Sequence, residues 1–238
     1  MAGTSPAMTS SAPIGPPVDA TPAPRPERRV FEGAHIRLEP LTTAHARDLY
    51  AATHGADRED IWRYLFTGPY ADFASFENWC AGAAQSADPI AWAVVDKSGK
   101  AVGALTLMRI DPPNRVIEIG GITFGTPLQR TTGSTEAIFL LARYIFDELG
   151  YRRFEWKCND HNAPSKHAAL RLGFSYEGVF RQHMIVKGRN RDTAWFSMLD
   201  SEWPKRRAAF ETWLAPGNFD ADGRQRTSLG ELMGAGGL

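Results

Sequence analysis

The run Gln129-Arg130-Thr131-Thr132-Gly133-Ser134-Thr135 puts an arginine and several hydroxyls just ahead of a strongly amphipathic segment. At a helix N-terminus, free backbone N–H groups and the positive end of the helix dipole add to these side chains. Together they suit a diphosphate. Asn162-x-x-Ser165 opens a further helix, and both residues are able to satisfy backbone donors of its first turn. Glu118 lies on a strand, where a carboxylate serves as cross-strand charge partner on a solvated face. His183, between Arg181 and Met184, reads either as a base that contacts substrate or as a satisfied structural histidine. Arg181, Lys187, Arg189 and Arg191 form a basic hairpin. It either holds an acidic ligand or is a solvated turn paired with Asp192 and Glu202.

These residues need elements to position them. Ile36 to Pro40 alternates and ends at a proline, which predicts a first strand. Thr43 caps a helix through His54, and helical spacing recurs over Asp60–Phe66 and Phe76–Ala84. Ala91–Asp96, Ala101–Ile110 and Val116–Phe124 read as a three-strand meander with turns at Lys97–Lys100 and Pro112–Asn114. The Gly120-Gly121 pair inside the third strand predicts a bulge. Ser134 or Thr135 caps the strongest helix, whose apolar face runs from Ala137 to Leu149, with Gly150 as its stop. Phe154, Trp156 and Cys158 alternate with Arg153, Glu155 and Lys157, the pattern of a half-buried strand. A helix from Asn162 to Leu172, a hairpin turning over Lys187–Arg191 and a helix from Glu202 to Leu214 complete the order. Strand–helix–strand around Ala137–Leu149 implies a right-handed crossover and one parallel pair. The fold class predicted is therefore α/β (α+β): a mixed, mostly antiparallel sheet flanked by helices.

The chain of 238 residues is 43% hydrophobic and 23% charged, the balance of a globular protein. Lys plus Arg and Asp plus Glu are both 27, which argues against a long polyanion as partner. Cys80 and Cys158 are the two cysteines, so neither a disulfide framework nor a zinc spacing is present, and a reducing cytoplasm is the expected location. No run of about 20 apolar residues spans a bilayer, and no secretory signal precedes the first strand. Residues 1–29, rich in Pro and Ala, and 215–238, rich in Gly, predict flexible tails around one domain at 30–214.

The order strand, Gln-Arg-x-x-Gly, helix, Glu155-Trp156-Lys157-Cys158, Asn162-x-x-Ser165 and Leu172-Gly173-Phe174 resembles the GNAT superfamily of acyl-CoA N-acyltransferases. Thr135-Glu136-Ala137, Gly178-Val179-Phe180-Arg181 and Gly188-Arg189-Asn190-Arg191-Asp192 look like its RimJ/RimL-type branch. The resemblance covers about Phe31 to Trp203. It implies acetyl-CoA as cosubstrate, no metal, and direct transfer of an acetyl group to a primary amine, either a protein N-terminus or a small molecule. It further implies that Ile122, Thr123 and Phe124 hold the pantetheine arm, and that Gln129 to Thr135 with Asn162 hold the rest of the coenzyme. Ser165 would be the proton donor to the leaving thiolate and Glu118 the base. Arg181 and His183 would face the substrate, and Trp62, Tyr64, Phe66, Trp79 and Trp195 are either core or the walls of an acceptor cleft. Cys158 either approaches the coenzyme sulfur or is a buried small side chain. The family's Gln/Arg-x-x-Gly-x-Gly/Ala pattern can be aligned in two registers and the chain departs from it in both: from Arg130, Gly133 matches but Thr135 takes the last small position, and from Gln129, Thr132 and Ser134 take both. A homodimer also follows from the branch. The alternative is a non-catalytic acyl-CoA-binding module that has lost turnover.

Overall fold

In the computed structural model, residues 14–55 and 58–234 are described. Strands β1 (Phe31–Glu32) and β2 (Ile36–Pro40) lead into helices α1 (Ala46–Thr53), α2 (Glu59–Trp62) and α3 (Phe73–Gln85). The meander β3 (Ile90–Asp96), β4 (Ala101–Asp111) and β5 (Val116–Phe124) follows, then α4 (Thr132–Arg143) and β6 (Arg153–Asn159). Helix α5 (Ala163–Arg171), strands β7 (Ser175–Val186) and β8 (Arg189–Leu199), and helices α6 (Trp203–Leu214) and α7 (Leu229–Met233) complete the chain. One eight-stranded sheet has the order β1-β2-β3-β4-β5-β6-β8-β7. Every neighbouring pair is antiparallel except β5 and β6, which run parallel over Val116–Ile119 and Arg153–Trp156. The predicted mixed sheet with a single parallel pair is thus the sheet observed.

Helix α4 explains the layering. Nine of its twelve residues are buried, from Gly133 through Ala142. A helix apolar nearly all round must be covered on both sides. The sheet covers one side, and Phe139 meets Phe210 and Trp203 of α6 on the other, at ring separations of 5.3 and 6.2 Å. Helices α1 and α3 cover the opposite sheet face through Leu49, Phe76 and Cys80, which pack on Ala91, Ala93 and Val95. No helix of the described residues is long and apolar enough to cross a membrane.

The flanking segments differ from the flexible tails expected. Ala23 is buried, its N–H donates to the Pro112 carbonyl at 3.0 Å, and Arg115 holds the Thr21 carbonyl and Asp19. After α6, Asn218 donates to the Trp213 carbonyl, and Leu229 and Met233 are buried in the main core. Composition averaged over a glycine-rich stretch conceals these few anchoring apolar side chains, which is why the sequence suggested a loose tail. Leu229→Ala is expected to cost about 2–5 kcal/mol in a denaturant titration, the range for emptying a fully buried leucine site. A cost under about 0.5 kcal/mol would show that α7 is not part of the cooperative core.

The β7–β8 connection is also tighter than the loop expected at Lys187–Arg191. Lys187 and Gly188 form a two-residue turn, with φ of 50° and 70°, and pairing begins at Val186 and Arg189. Two successive positive φ values give a turn whose twist matches the strands, so Arg189 and Arg191 belong to the ladder.

Candidate active site

Strands β5 and β6 separate beyond Ile119 and Trp156: β5 continues to Phe124 and β6 to Asn159 without pairing to each other. The separation starts at the bulge that the glycine pair predicts. The β4–β5 register jumps between Ala104–Thr123 and Thr106–Gly120, and Gly121 has φ 56°. Thr106 Oγ1 donates to the Gly120 carbonyl at 2.9 Å and holds the kink in place. The cleft beside Ile122, Thr123 and Phe124 is therefore a product of backbone geometry. Thr123 Oγ1 turns back to the Gly121 carbonyl at 3.1 Å, which leaves main-chain groups to face the gap.

At the head of α4, Thr131 is the N-cap, and its hydroxyl accepts from the Ser134 N–H at 3.3 Å. The N–H groups of Thr132 and Gly133 lie in the first turn, where the helix supplies no acceptor. Gln129, Arg130 and Thr131 are exposed, and Thr132 and Ser134 are half-exposed. Arg130 has φ 60° and turns the loop outward. Gly133 and Thr135 instead face inward. A Cβ at Gly133 would stand 2.7 Å from Ile36 Cγ2, and Thr135 Oγ1 accepts from Arg171 at 3.1 Å. Of the two small-position registers, the outward one is Thr132 and Ser134. The side chain of Thr135 is thus a packing group, and the missing side chain at Gly133 is required by strand β2.

Glu136, one residue further, accepts three backbone N–H bonds, from Ala34, His35 and Ile36, at 2.7, 2.7 and 2.9 Å. This buried carboxylate fixes the β1–β2 turn against the helix and hence the helix N-terminus against the sheet.

Ser165 sits in the first turn of α5, capped by Asn162, whose Oδ1 accepts the Ser165 N–H at 3.2 Å. Its Oγ accepts the Trp156 indole N–H at 3.0 Å. Because the indole can only donate, the serine proton is free to point elsewhere. Asn162 alone therefore caps the helix, while the Ser165 hydroxyl, which bonds no helix backbone group, presents a donor at the carboxyl end of β6. Burial raises the pKa of Cys158 above that of an ordinary thiol, so it stays a protonated, packed side chain.

Glu118 is not on a solvated face. It is buried, and its Oε2 receives Arg109 at 2.6 Å and Lys157 at 3.0 Å. A positive φ of 47° at Arg109 turns that guanidinium back over the sheet. Lys157, itself 5% exposed, also pairs with Glu155 at 2.6 Å and lies 3.8 Å from the centre of the Trp195 ring. Both cations use one carboxylate oxygen. The other, Oε1, lies toward Gly120, 3.6 Å from where a Cβ would stand. Sequence reading missed Arg109 and Lys157, although the charge alternation along β6 marks Lys157 as a residue of this face.

His183 and Arg181 fall in a second bulge, where the β7–β8 register jumps from Phe180–Thr193 to Met184–Arg191. His183 Nδ1 lies 3.0 Å from Thr193 Oγ1, and its ring stands against Phe180 and Trp195. Partial burial, then the charges of Arg109, Arg191 and Lys157, hold its pKa below the usual histidine value. The ring is thus biased toward the neutral form near pH 7. Arg181 is exposed, and its charge acts on nearby Asp192. Of the aromatic residues, Trp62 is core, Trp79 stacks on Phe76, and Phe66 lies under the Arg191 guanidinium.

Residues 35–175 match the Acetyltransferase (GNAT) domain, and the chain belongs to this family. It is similar to a GCN5-related N-acetyltransferase of known structure from Brucella melitensis, at 53% identity, over 91% of this chain and 99% of that one, with a TM-score of 0.89. A GNAT-family protein from Chromobacterium violaceum is 39% identical over 82% of this chain and all of its own, with a TM-score of 0.74. Among curated relatives, the uncharacterized N-acetyltransferase p20 of Bacillus licheniformis is 31% identical over 110 residues, 46% of this chain. That alignment spans 61% of p20.

Proposed function

We propose that the protein is an acetyl-CoA-dependent N-acetyltransferase of the RimJ/RimL-type branch that transfers acetyl directly to a primary amine. The observation that carries this reading is the opening of β5 from β6 with an unsatisfied helix N-terminus at one end and a serine hydroxyl at the other. The N–H groups of Thr132 and Gly133, with Gln129, Arg130, Thr131 and Ser134 around them, form the diphosphate cradle. Main-chain groups of Ile122, Thr123 and Phe124 line the pantetheine path. The coenzyme supplies a thioester carbonyl as electrophile. Ser165 Oγ donates its proton to the departing sulfur, with Trp156 fixing the hydroxyl orientation. Glu118 Oε1, the oxygen not engaged by Arg109 and Lys157, accepts the proton released by the amine, and solvent then takes that proton from Glu118 and returns one to Ser165, so the cycle ends with amide, free thiol and both groups restored. The two free, buried thiols Cys80 and Cys158 suit the reducing cytoplasm. Among the described residues no His, Cys, Asp or Glu cluster is arranged for a metal, and this chemistry calls for none.

Isothermal titration with acetyl-CoA, combined with thiol release across an amine panel, tests the proposal. Saturable coenzyme binding and amine-dependent thiol release are expected. Binding without thiol release from any amine would point to a non-catalytic coenzyme-binding module.

A further inference from the structure

A cavity of about 740 Å³ lies between the segment after α2, the end of β6 and the β7–β8 turn. Its charged side chains are all basic: Arg63, Lys187, Arg189 and Arg191, with His161 and the phenol of Tyr64 beside them. Hydrogen bonds tie its walls together: Tyr64 Oη to the His161 carbonyl at 3.2 Å and Lys187 Nζ to the Trp62 carbonyl at 2.8 Å. The nearby carboxylates are already engaged. Asp60 holds Arg63, while Asp192 accepts from the Gln182 N–H and from Asn190. Arg191 is 5% exposed, stacks on Phe66, and its buried Nε has no acceptor. A buried guanidinium left without an anion is costly, and proteins retain one where a ligand completes it.

Resting on the acetyltransferase reading, we propose that this cavity binds an anionic group of the amine acceptor, a carboxylate or a phosphate a few atoms from the nitrogen. Its volume is that of a small-molecule site. Its position fits the acceptor. Asn159 and His161 belong to the link that runs from β6 to Ser165, so an anion held by Arg189 and Arg191 keeps its amine near the proton donor. The diphosphate cradle at the head of α4 is a separate group of residues, drawn from the β5–α4 loop. Arg191 fixes the innermost end of the anion, Arg189, exposed at the end of the ladder beside the turn, completes the charge, and neutral amines lack this anchor.

The test compares O-phosphoethanolamine with ethanolamine, and β-alanine with β-alaninamide, in thiol release by the full chain. A peptide with an acidic first residue forms a further arm. The anionic member of each pair is expected to have kcat/KM at least about tenfold higher, and the peptide arm tells whether the anion is that of a small molecule or of a chain N-terminus. Arg189→Glu, at an exposed position that folding does not depend on, is expected to remove this preference while the acetyl-CoA Kd stays within about twofold. Equal turnover of neutral and anionic partners by the native chain would overturn the proposal. So would a parallel fall in acetyl-CoA affinity in Arg189→Glu, because the cations would then belong to the coenzyme. If no amine gives thiol release, the catalytic reading fails. Direct titration of O-phosphoethanolamine then decides the cavity: binding lost in Arg189→Glu sustains it, and no binding to the native chain overturns it.

Discussion

Ser165→Ala is expected to lower kcat by about 10²- to 10³-fold, the usual worth of a positioned proton donor, with acetyl-CoA affinity changed by less than about threefold. The reason lies in the division of labour at the head of α5. The Ser165 backbone N–H meets Asn162, and its oxygen meets Trp156, so its proton alone is uncommitted to the helix. Alanine keeps the first bond, loses the second and removes the donor. The orphaned indole N–H of buried Trp156 costs about 1 kcal/mol of stability, too little to unfold the domain. Stopped-flow thiol release and isothermal titration on the same preparation separate the two parameters. Turnover within threefold of the native rate would leave Ser165 as the partner of the Trp156 indole and nothing more. A matched loss of kcat and coenzyme binding would indicate a general disturbance of the cleft.

Glu136→Ala is expected to be the most destabilising change near the coenzyme loop, by about 3 kcal/mol or more. Three backbone N–H groups lose a charged acceptor at once. Ile36 is 3% exposed, so its N–H cannot turn to water, whereas Ala34 is exposed and can. Glu136→Gln retains one acceptor oxygen and places an amide against N–H donors, so it should recover only part of the loss. Chemical denaturation of the variants measures this. A cost under about 1 kcal/mol for alanine would mean that the turn is rehydrated and that the carboxylate serves another purpose. The effect on function is indirect: a loosened β1–β2 turn frees Ile36 from Gly133 and lets the head of α4 drift. Coenzyme affinity should fall along with stability, in contrast to Ser165→Ala.

Local patterns revealed what local forces decide. The alternation in Arg153–Cys158 placed Phe154, Trp156 and Cys158 on the buried face, and the glycine pair at 120–121 marked the bulge that opens the cleft. Asn162 and Ser165 were legible because helix capping is written into three or four adjacent residues. Contacts between distant segments were not. Glu136 stood out only as part of a motif, since its partners lie about a hundred residues away at Ala34–Ile36. Glu118 looked solvated because its partner Arg109 arrives through a positive-φ turn that no periodicity announces. Gly133 looked like a phosphate-loop glycine, but its missing side chain makes room for Ile36. The paired basic residues of the β7–β8 turn were visible in the sequence. The cavity they enclose was not, because it takes the Trp62–Tyr64 segment to complete it.

Helix α7 bears on when the protein becomes whole. Leu229 and Met233 close the layer around α5 and α6, and Arg206 donates to the Met233 carbonyl at 2.6 Å. A ribosome delivers residues in order, so the sheet and α4 emerge long before this plug. Until residue 233 is free, the flank of α5 and α6 that Leu229 and Met233 cover stays open, and the nascent chain exposes apolar surface there. Emergence of residue 233, rather than formation of the sheet, is then the step that closes this flank.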